Sequence, residues 1–449
     1  MAVARGDLMR HDRRKFLMLT GTGLAAVSAG SLVQPNQATG QASATDTGNS
    51  GSWDTVRAAF DLSEDRIHMS AMLIASHPKP VRDAIEEHRR GLDADPVGYL
   101  ERNDSRLTRA VRSAAAGYLD THASLVALTD STTMGLGLVY NGLRLRPGQE
   151  IITTDEDYYV THESVRLATA RSGADMRKIA LFQNLDGVTA EEIVDRIARE
   201  IGPSTRALAV TWVHSSTGLK IPVARIAERL QEINAGRDED DRVLLCVDGV
   251  HGFGTEDSDM PGLGCDFLMA GCHKWLFGPR GTGIIAASER GFSATRPTIP
   301  SFIDDSTFSA WINNEAPAGA NDGARMTPGG FKAFEHRWAL TQAFEFHDGM
   351  GKENVAARTH ELAGALKEGL AGFTNVSLVT PQSPELSSGI VSFDVDGISP
   401  QQAVSALRER GIVASVAPYT RPHVRLTPSV RNTEAEIETV LSAVHSLVD

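Results

Sequence analysis

Three short stretches of this 449-residue chain hold residue types that do chemistry together. They are Asp248-Gly249-Val250-His251, Cys272-His273-Lys274-Trp275, and Gly278-Pro279-Arg280-Gly281-Thr282-Gly283. The acid follows the apolar run Val243–Val247, and the lysine follows a second apolar run, Phe267–Ala270. Both are therefore expected at the ends of buried strands. A carboxylate and a lysine in one apolar pocket can be a plain ion pair. They are also what pyridoxal 5′-phosphate (PLP) requires. Desolvation lowers the amine's pKa enough for it to form a Schiff base with the aldehyde. The carboxylate keeps the pyridinium nitrogen protonated, so that the ring accepts electrons from a developing carbanion.

Such a cofactor also needs an anion site. Asp130-Ser131-Thr132-Thr133 follows the apolar run Leu125–Thr129 and opens a helical pattern containing Gly135 and Gly137. Hydroxyls and free N–H groups at a helix start suit a phosphate, although the same residues can be an ordinary N-cap. His273, beside the lysine, is a second phosphate candidate. In Asp157-Tyr158-Tyr159, Tyr158 can lay its ring on the pyridine face. Tyr159 is the alternative, and either ring can belong to the core.

These residues must be positioned by regular elements. From about residue 105, helical patterns (105–119, 132–143, 161–172, 189–201, 223–234) alternate with β-rich runs. The runs are Leu125–Thr129, Glu150–Thr153, Thr205–Val213, Val243–Val247, Phe267–Ala270 and Gly283–Ala287. That alternation predicts an α/β fold with a mostly parallel sheet covered on both faces, its ligand at the strands' C-terminal ends. A long helix or helix pair over 335–370 leads to a smaller α/β unit. That unit holds Val376–Val379, Gly389–Phe393, a helix at 400–410 and Val424–Thr427. The expected division is an N-terminal segment at 53–79, a large domain at 80–330 and a small C-terminal domain at 335–449.

The segment Val247 to Gly283 resembles the class V aminotransferases, fold-type-I PLP enzymes. It is most similar to their isopenicillin N epimerase-like and cysteine desulfurase-like branch. The likeness extends over about 53–449 through Ile67-His68-Met69-Ser70-Ala71, Val213-His214-Ser215-Ser216-Thr217-Gly218, and Arg425-Leu426-Thr427 before Asn432-Thr433. It implies a seven-stranded sheet, a homodimer and an amino-acid-type substrate. Lys274 would carry the cofactor, with Asp248 on the pyridinium nitrogen and His251 near the ring hydroxyl. Thr132, Thr133 and His273 would hold the phosphate. His214 and Arg425 would meet substrate, Arg425 gripping its carboxylate with a planar fork. A surface salt bridge is the plain alternative for Arg425. The family often brings Gly-Thr from the partner subunit to the phosphate; here the sequence is Met326-Thr327, so only Thr327 carries over. Desulfurases have a mobile cysteine shortly before the carboxylate-binding arginine. None lies between Gly411 and Arg425, which argues against cysteine desulfuration. Transamination, epimerisation and Cα–X cleavage all fit; a C–S lyase, or an exported fold without turnover, are the alternatives.

The chain's start suggests export. Arg13-Arg14-Lys15-Phe16-Leu17 resembles a twin-arginine motif, and the apolar run to Ala29 is shorter than the ~20 residues a bilayer span needs. Residues 1–44 are accordingly expected to be a signal peptide and linker, cleaved after Ala29 or after Ala42-Ser43-Ala44 and read by the twin-arginine machinery on the way to the periplasm or another exported location; a lipid-tethered or uncleaved anchor is the alternative. Residues 34–52 form a Gln/Ser/Thr/Gly-rich linker. A net charge of −13 argues against nucleic acid. Gly278 to Gly283 lies between a lysine and a strand, not between a strand and a helix, which argues against a dinucleotide fingerprint. Cys265, Cys272 and His273 lack the paired spacing of a zinc site, and an odd count of three cysteines argues against a disulfide framework.

Overall fold

A computed structural model describes residues 50–447, so the expected signal and most of the linker lie outside the described residues. The core is a seven-stranded sheet. In chain order its strands are β1 (Val126–Thr129), β2 (Glu150–Thr154), β3 (Asp175–Ile179), β4 (Thr205–Thr211), β5 (Leu244–Asp248), β6 (Phe267–Gly271) and β7 (Gly283–Ala287). Their spatial order is β1-β7-β6-β5-β4-β2-β3. The pairs β6-β5-β4-β2-β3 are parallel, while β7 runs antiparallel to both β6 and β1. Two reversals restore direction, so β1 points the same way as β6. Six C-terminal strand ends (β1 to β6) therefore open on one edge of the sheet. β4, β5, β6 and β7 are buried along their whole length, as a sheet covered by helices on both faces demands. Separate apolar clusters fill the two faces, one built around Leu208, Val210, Val247 and Leu268 and the other around Ala209, Cys246, Phe267 and Ile285.

The sequence reading missed β3. Its residues Asp-Met-Arg-Lys-Ile are mostly polar because it is an edge strand, solvated on one side. The strand read as Thr205–Val213 ends at Thr211, two residues early, where the chain turns into the His214–Gly218 loop. The helix expected at 105–119 starts earlier, as Pro96–Tyr118, and another helix, Lys79–Ala94, leads into it. Asp95 separates them, and its carboxylate caps the second through the Gly98 N–H.

The C-terminal unit is a four-stranded antiparallel sheet of β8 (Val376–Leu378), β9 (Val391–Val395), β10 (Ser415–Val416) and β11 (Val424–Leu426), in the order β10-β11-β9-β8. Helices Lys352–Ala371, Pro400–Glu409 and Glu434–His445 share one apolar cluster with it, through Leu366, Leu407 and Val440. The N-terminal segment is fastened to this unit: Ile67–His68 pairs in parallel with Ile412–Val413, and Met69 lies in the same cluster. The sheet docks on the loop after β4. Ser392 Oγ donates to the Ser216 carbonyl at 2.9 Å and Thr380 Oγ1 to the Thr217 carbonyl at 2.7 Å. Gly218 allows this approach. It has φ +75°, and a Cβ there would lie 2.4 Å from the Ile390 carbonyl oxygen.

Candidate active site

The open strand ends gather their residues around one cavity of about 200 Å³. It is lined by Ser131, Thr132, Thr133, Tyr158, Asp248, His251, His273, Lys274 and Arg425, among others. Eight of the ten residues singled out in the sequence are thus brought together from segments far apart in the chain.

Asp248 ends β5 and is buried; its Oδ1 accepts from the Val250 N–H at 3.1 Å. Burial pushes its pKa up to about 6, against the opposing pull of that bond and of Lys274. Lys274 lies three residues beyond β6. Burial drives its amine down to about 8, with Asp248 opposing and Arg425 adding to the fall. Its Nζ lies 3.5 Å from His251 Nε2. The cavity therefore holds an amine poised to lose its proton near neutrality and a carboxyl that ionises only reluctantly without a cationic partner.

The β1 end offers a candidate anion cradle. Ser131 caps helix Thr132–Gly142, its Oγ accepting from Met134 N at 3.1 Å, while Gly135 N donates to the Ser131 carbonyl. The amides of Thr132 and Thr133 remain as the helix's forward donors. Thr132 Oγ1 accepts from Gly271 N at 2.7 Å, which ties the helix start to the end of β6. A Cβ at Gly271 would lie 3.1 Å from Thr132 Oγ1 and 3.0 Å from the His273 ring. A larger residue would crowd both groups and force them to shift by a few tenths of an ångström. His273 Nδ1 is buried without a hydrogen-bond partner, and a buried polar atom with no partner is rare unless a ligand supplies one.

Arg425, in the middle of β11, is buried, and three of its five N–H donors are engaged within the chain. Nη1 donates to the Ser215 carbonyl at 2.7 Å, Nη2 to the Val416 carbonyl at 2.9 Å, and Nε to Ser415 Oγ at 3.2 Å. It is no surface salt bridge. Burial lowers its pKa to about 10, and it stays cationic at neutral pH.

Two residues are not brought to the cavity. His214 is buried behind it, both ring nitrogens without a hydrogen bond, with Nε2 3.9 Å from Asp157 Oδ1. Thr327 Oγ1 accepts from Leu128 N at 3.0 Å and donates to the Gly323 carbonyl at 2.7 Å, so within this chain it braces β1. Conversely, Tyr419 and Ser215 escaped notice as site residues. The Tyr419 hydroxyl lies 2.7 Å from Ser215 Oγ, and its ring centroid 5.7 Å from that of Tyr158. Tyr419 sits in the turn between β10 and β11, a stretch with no periodicity to mark it. Beyond Tyr419 a larger groove of about 1030 Å³ opens, lined by Asp155, Glu156, Asn184, Thr380, Arg421 and His423 among others. It holds no lysine, and the amine and its buried carboxyl both belong to the smaller cavity.

The aminotransferase class V family model matches residues 75–426. Among curated proteins, the chain is 27% identical over 404 residues to the isopenicillin N epimerase of Amycolatopsis lactamdurans, covering 88% of this chain and 98% of that protein. Against the isopenicillin N epimerase of Streptomyces clavuligerus it is 26% identical, with the same coverage. A probable cysteine desulfurase of Mycobacterium leprae is 25% identical, covering 74% of this chain and 79% of its own. Among solved structures, the cystine C–S lyase C-DES in complex with cysteine persulfide superposes with a TM-score of 0.75 at 23% identity, covering 85% of this chain and 98% of that one. The cysteine desulfurase of Thermococcus onnurineus superposes with a TM-score of 0.72 at 19% identity, covering 88% and 98%. These two likenesses carry the fold.

Proposed function

The chain belongs to the class V aminotransferase family of PLP enzymes, and from that premise we propose that it breaks a bond at the α-carbon of an amino acid or amino-acid-containing metabolite, using cofactor held on Lys274. The observation that carries this is the amine of Lys274, lowered to about 8 in a cavity shared with buried Asp248 and the unpartnered Nδ1 of His273. When bound, PLP supplies an aldehyde for amines and a ring that accepts the electron pair left at the α-carbon. The residues present fit that group. Lys274 Nζ is the attachment point, and Asp248 the anion for the ring nitrogen. His273 with the Thr132 and Thr133 amides and hydroxyls forms the phosphate cradle. Tyr158 is the aromatic face, and His251 the donor beside the ring oxygen.

In this reading Arg425 holds the substrate carboxylate. Its bonds to Ser215, Ser415 and Val416 fix the guanidinium plane and so the angle at which the α-carbon is presented. With cofactor and substrate in place, Lys274 Nζ would be the base that takes a proton at the α-carbon. The groove beyond Tyr419 leaves room for the remainder of a substrate larger than a free amino acid.

Epimerisation or transamination is favoured over desulfuration. The thiols of Cys246, Cys265 and Cys272 are buried, burial pushes all three far up, and no other cysteine exists to act as a thiolate. The test is incubation of the purified protein with amino acids in deuterium oxide. Deuterium should enter at the α-carbon, and Arg425→Ala should raise KM for amino acids at least tenfold while affecting the matching decarboxylated amines far less. No exchange with any amino acid or peptide sends the reading back. Equal KM values in the variant would mean that another group holds the carboxylate.

A homodimer belongs to the same proposal. Phe302, Trp311 and Phe331 are 65–78% exposed and fall within one stretch, 297–334, and apolar side chains so placed suit a second copy. So does export. Arg13→Lys with Arg14→Lys should leave the precursor in the cytoplasm, folded and carrying its cofactor. Processed protein in the periplasm from that double variant would end the twin-arginine reading.

A further inference from the structure

His251 makes two contacts of its ring, and together they decide which nitrogen bears its proton. Trp275 Nε1 lies 3.2 Å from His251 Nδ1. An indole N–H can only donate, so Nδ1 must accept. On the other side, His251 Nε2 faces Lys274 Nζ at 3.5 Å. The ring is buried and surrounded by Lys274, Arg425 and His273, all of which oppose a second proton, and it is neutral. A neutral imidazole whose Nδ1 accepts carries its proton on Nε2.

We propose that Trp275 is a positioning residue that locks His251 in the Nε2–H tautomer, so that His251 faces the cavity as a hydrogen-bond donor and never as a base. The proposal rests on the reading of Lys274 as the cofactor's attachment point only for its catalytic consequence. A fixed donor 3.5 Å from Nζ favours the unprotonated amine, because an ammonium there would set N–H against N–H. It also offers a standing partner to an anionic oxygen brought into the cavity.

The surroundings hold the indole in place. Trp275 is fully buried, and Gly389, just before β9, presses on its ring: a Cβ on Gly389 would lie 2.9 Å from it. His251 is braced from its backbone. Thr255 Oγ1 donates to the His251 carbonyl at 2.8 Å, and Ser388 Oγ reaches Thr255 Oγ1 at 3.4 Å and Glu256 Oε1 at 2.5 Å. Ser388 and Gly389 are neighbours in the segment leading into the C-terminal sheet. One short stretch thus fixes both partners of the Trp275–His251 bond.

The test begins with cofactor-free protein of full length carrying 15N-histidine. Long-range 15N–1H spectra distinguish the two neutral tautomers, and His251→Gln identifies the signal by its disappearance. The unsubstituted protein should show His251 as Nε2–H. An Nδ1–H signal, or a mixture, overturns the proposal without any Trp275 variant and regardless of whether the cofactor binds Lys274. Trp275→Phe keeps an aromatic ring and removes only the donor. It should turn the His251 signal into a mixture and shift the pH midpoint of the cofactor's visible band by half a unit or more. It should also lower kcat about tenfold with KM nearly unchanged. In the His251→Gln background the same substitution should leave band and kcat where they were. A pure Nε2–H signal in Trp275→Phe, or an undiminished effect in the His251→Gln background, would show that Trp275 acts by packing alone.

Discussion

Lys274→Ala should give a folded, colourless protein whose turnover falls on the order of 10⁴-fold or more, because in the proposed mechanism one amine serves as both attachment point and base. The fold should survive. The amine has one weak contact at hydrogen-bond range, to His251 at 3.5 Å, and its removal leaves a small space next to an open cavity. Borohydride added to the unsubstituted holoenzyme should fix the phosphopyridoxyl group on Lys274, read as a mass increment on the peptide containing Trp275. The lowered amine adds a signature in pH. Only a neutral amine attacks an aldehyde, so reconstitution of cofactor-free protein should accelerate up to about pH 8 and then level off. An ordinary lysine would keep accelerating towards 10.5. Phosphopyridoxyl on any other lysine would remove Lys274 from the mechanism.

Much of this site was legible because its residues follow strands whose apolar runs are unmistakable. Val243–Val247 fixes where Asp248 must sit, and Phe267–Ala270 does the same for Lys274, since buried parallel strands read as continuous hydrophobic runs. Thr132 and Thr133 were readable because Ser131 announces a helix start. What stayed hidden depends on contacts between distant segments. Tyr419 matters only because the turn after β10 swings its ring onto Tyr158 and its hydroxyl onto Ser215. The bond from Trp275 to His251 spans 24 residues and two loops, and no local periodicity encodes it. His214 was singled out for its place at a strand end. Yet β4 ends three residues earlier, and the turn that follows aims its ring inward, towards Asp157, instead of into the cavity. β3 escaped because an edge strand with one wet side loses the apolar run that betrays its neighbours.

Asp248→Asn should separate holding the cofactor from using it. Asparagine has nearly the same shape, and its side-chain oxygen can still accept the Val250 N–H that Asp248 Oδ1 accepts at 3.1 Å. The loop to His251 should therefore stay in register, and the Lys274 absorbance band should persist. What is lost is the charge. Burial already pushes the Asp248 carboxyl up to about 6, with the Val250 N–H and, after it, nearby Lys274 holding it back. Such a carboxyl is ready to ionise fully against a cationic ring nitrogen, the one partner that returns its Coulomb energy in a site of low dielectric. A neutral amide cannot hold that nitrogen protonated, so the electron sink weakens at the moment when the α-carbon bond breaks. The loss should fall on kcat, since in the proposed arrangement Arg425 still grips the substrate's carboxylate. It should amount to several kcal/mol, on the order of a hundredfold or more in rate. The amine of Lys274 should shift as well: without the anion that raises it, its midpoint drops below about 8. Near-normal turnover with an unshifted Lys274 would make Asp248 a structural strand end and nothing more.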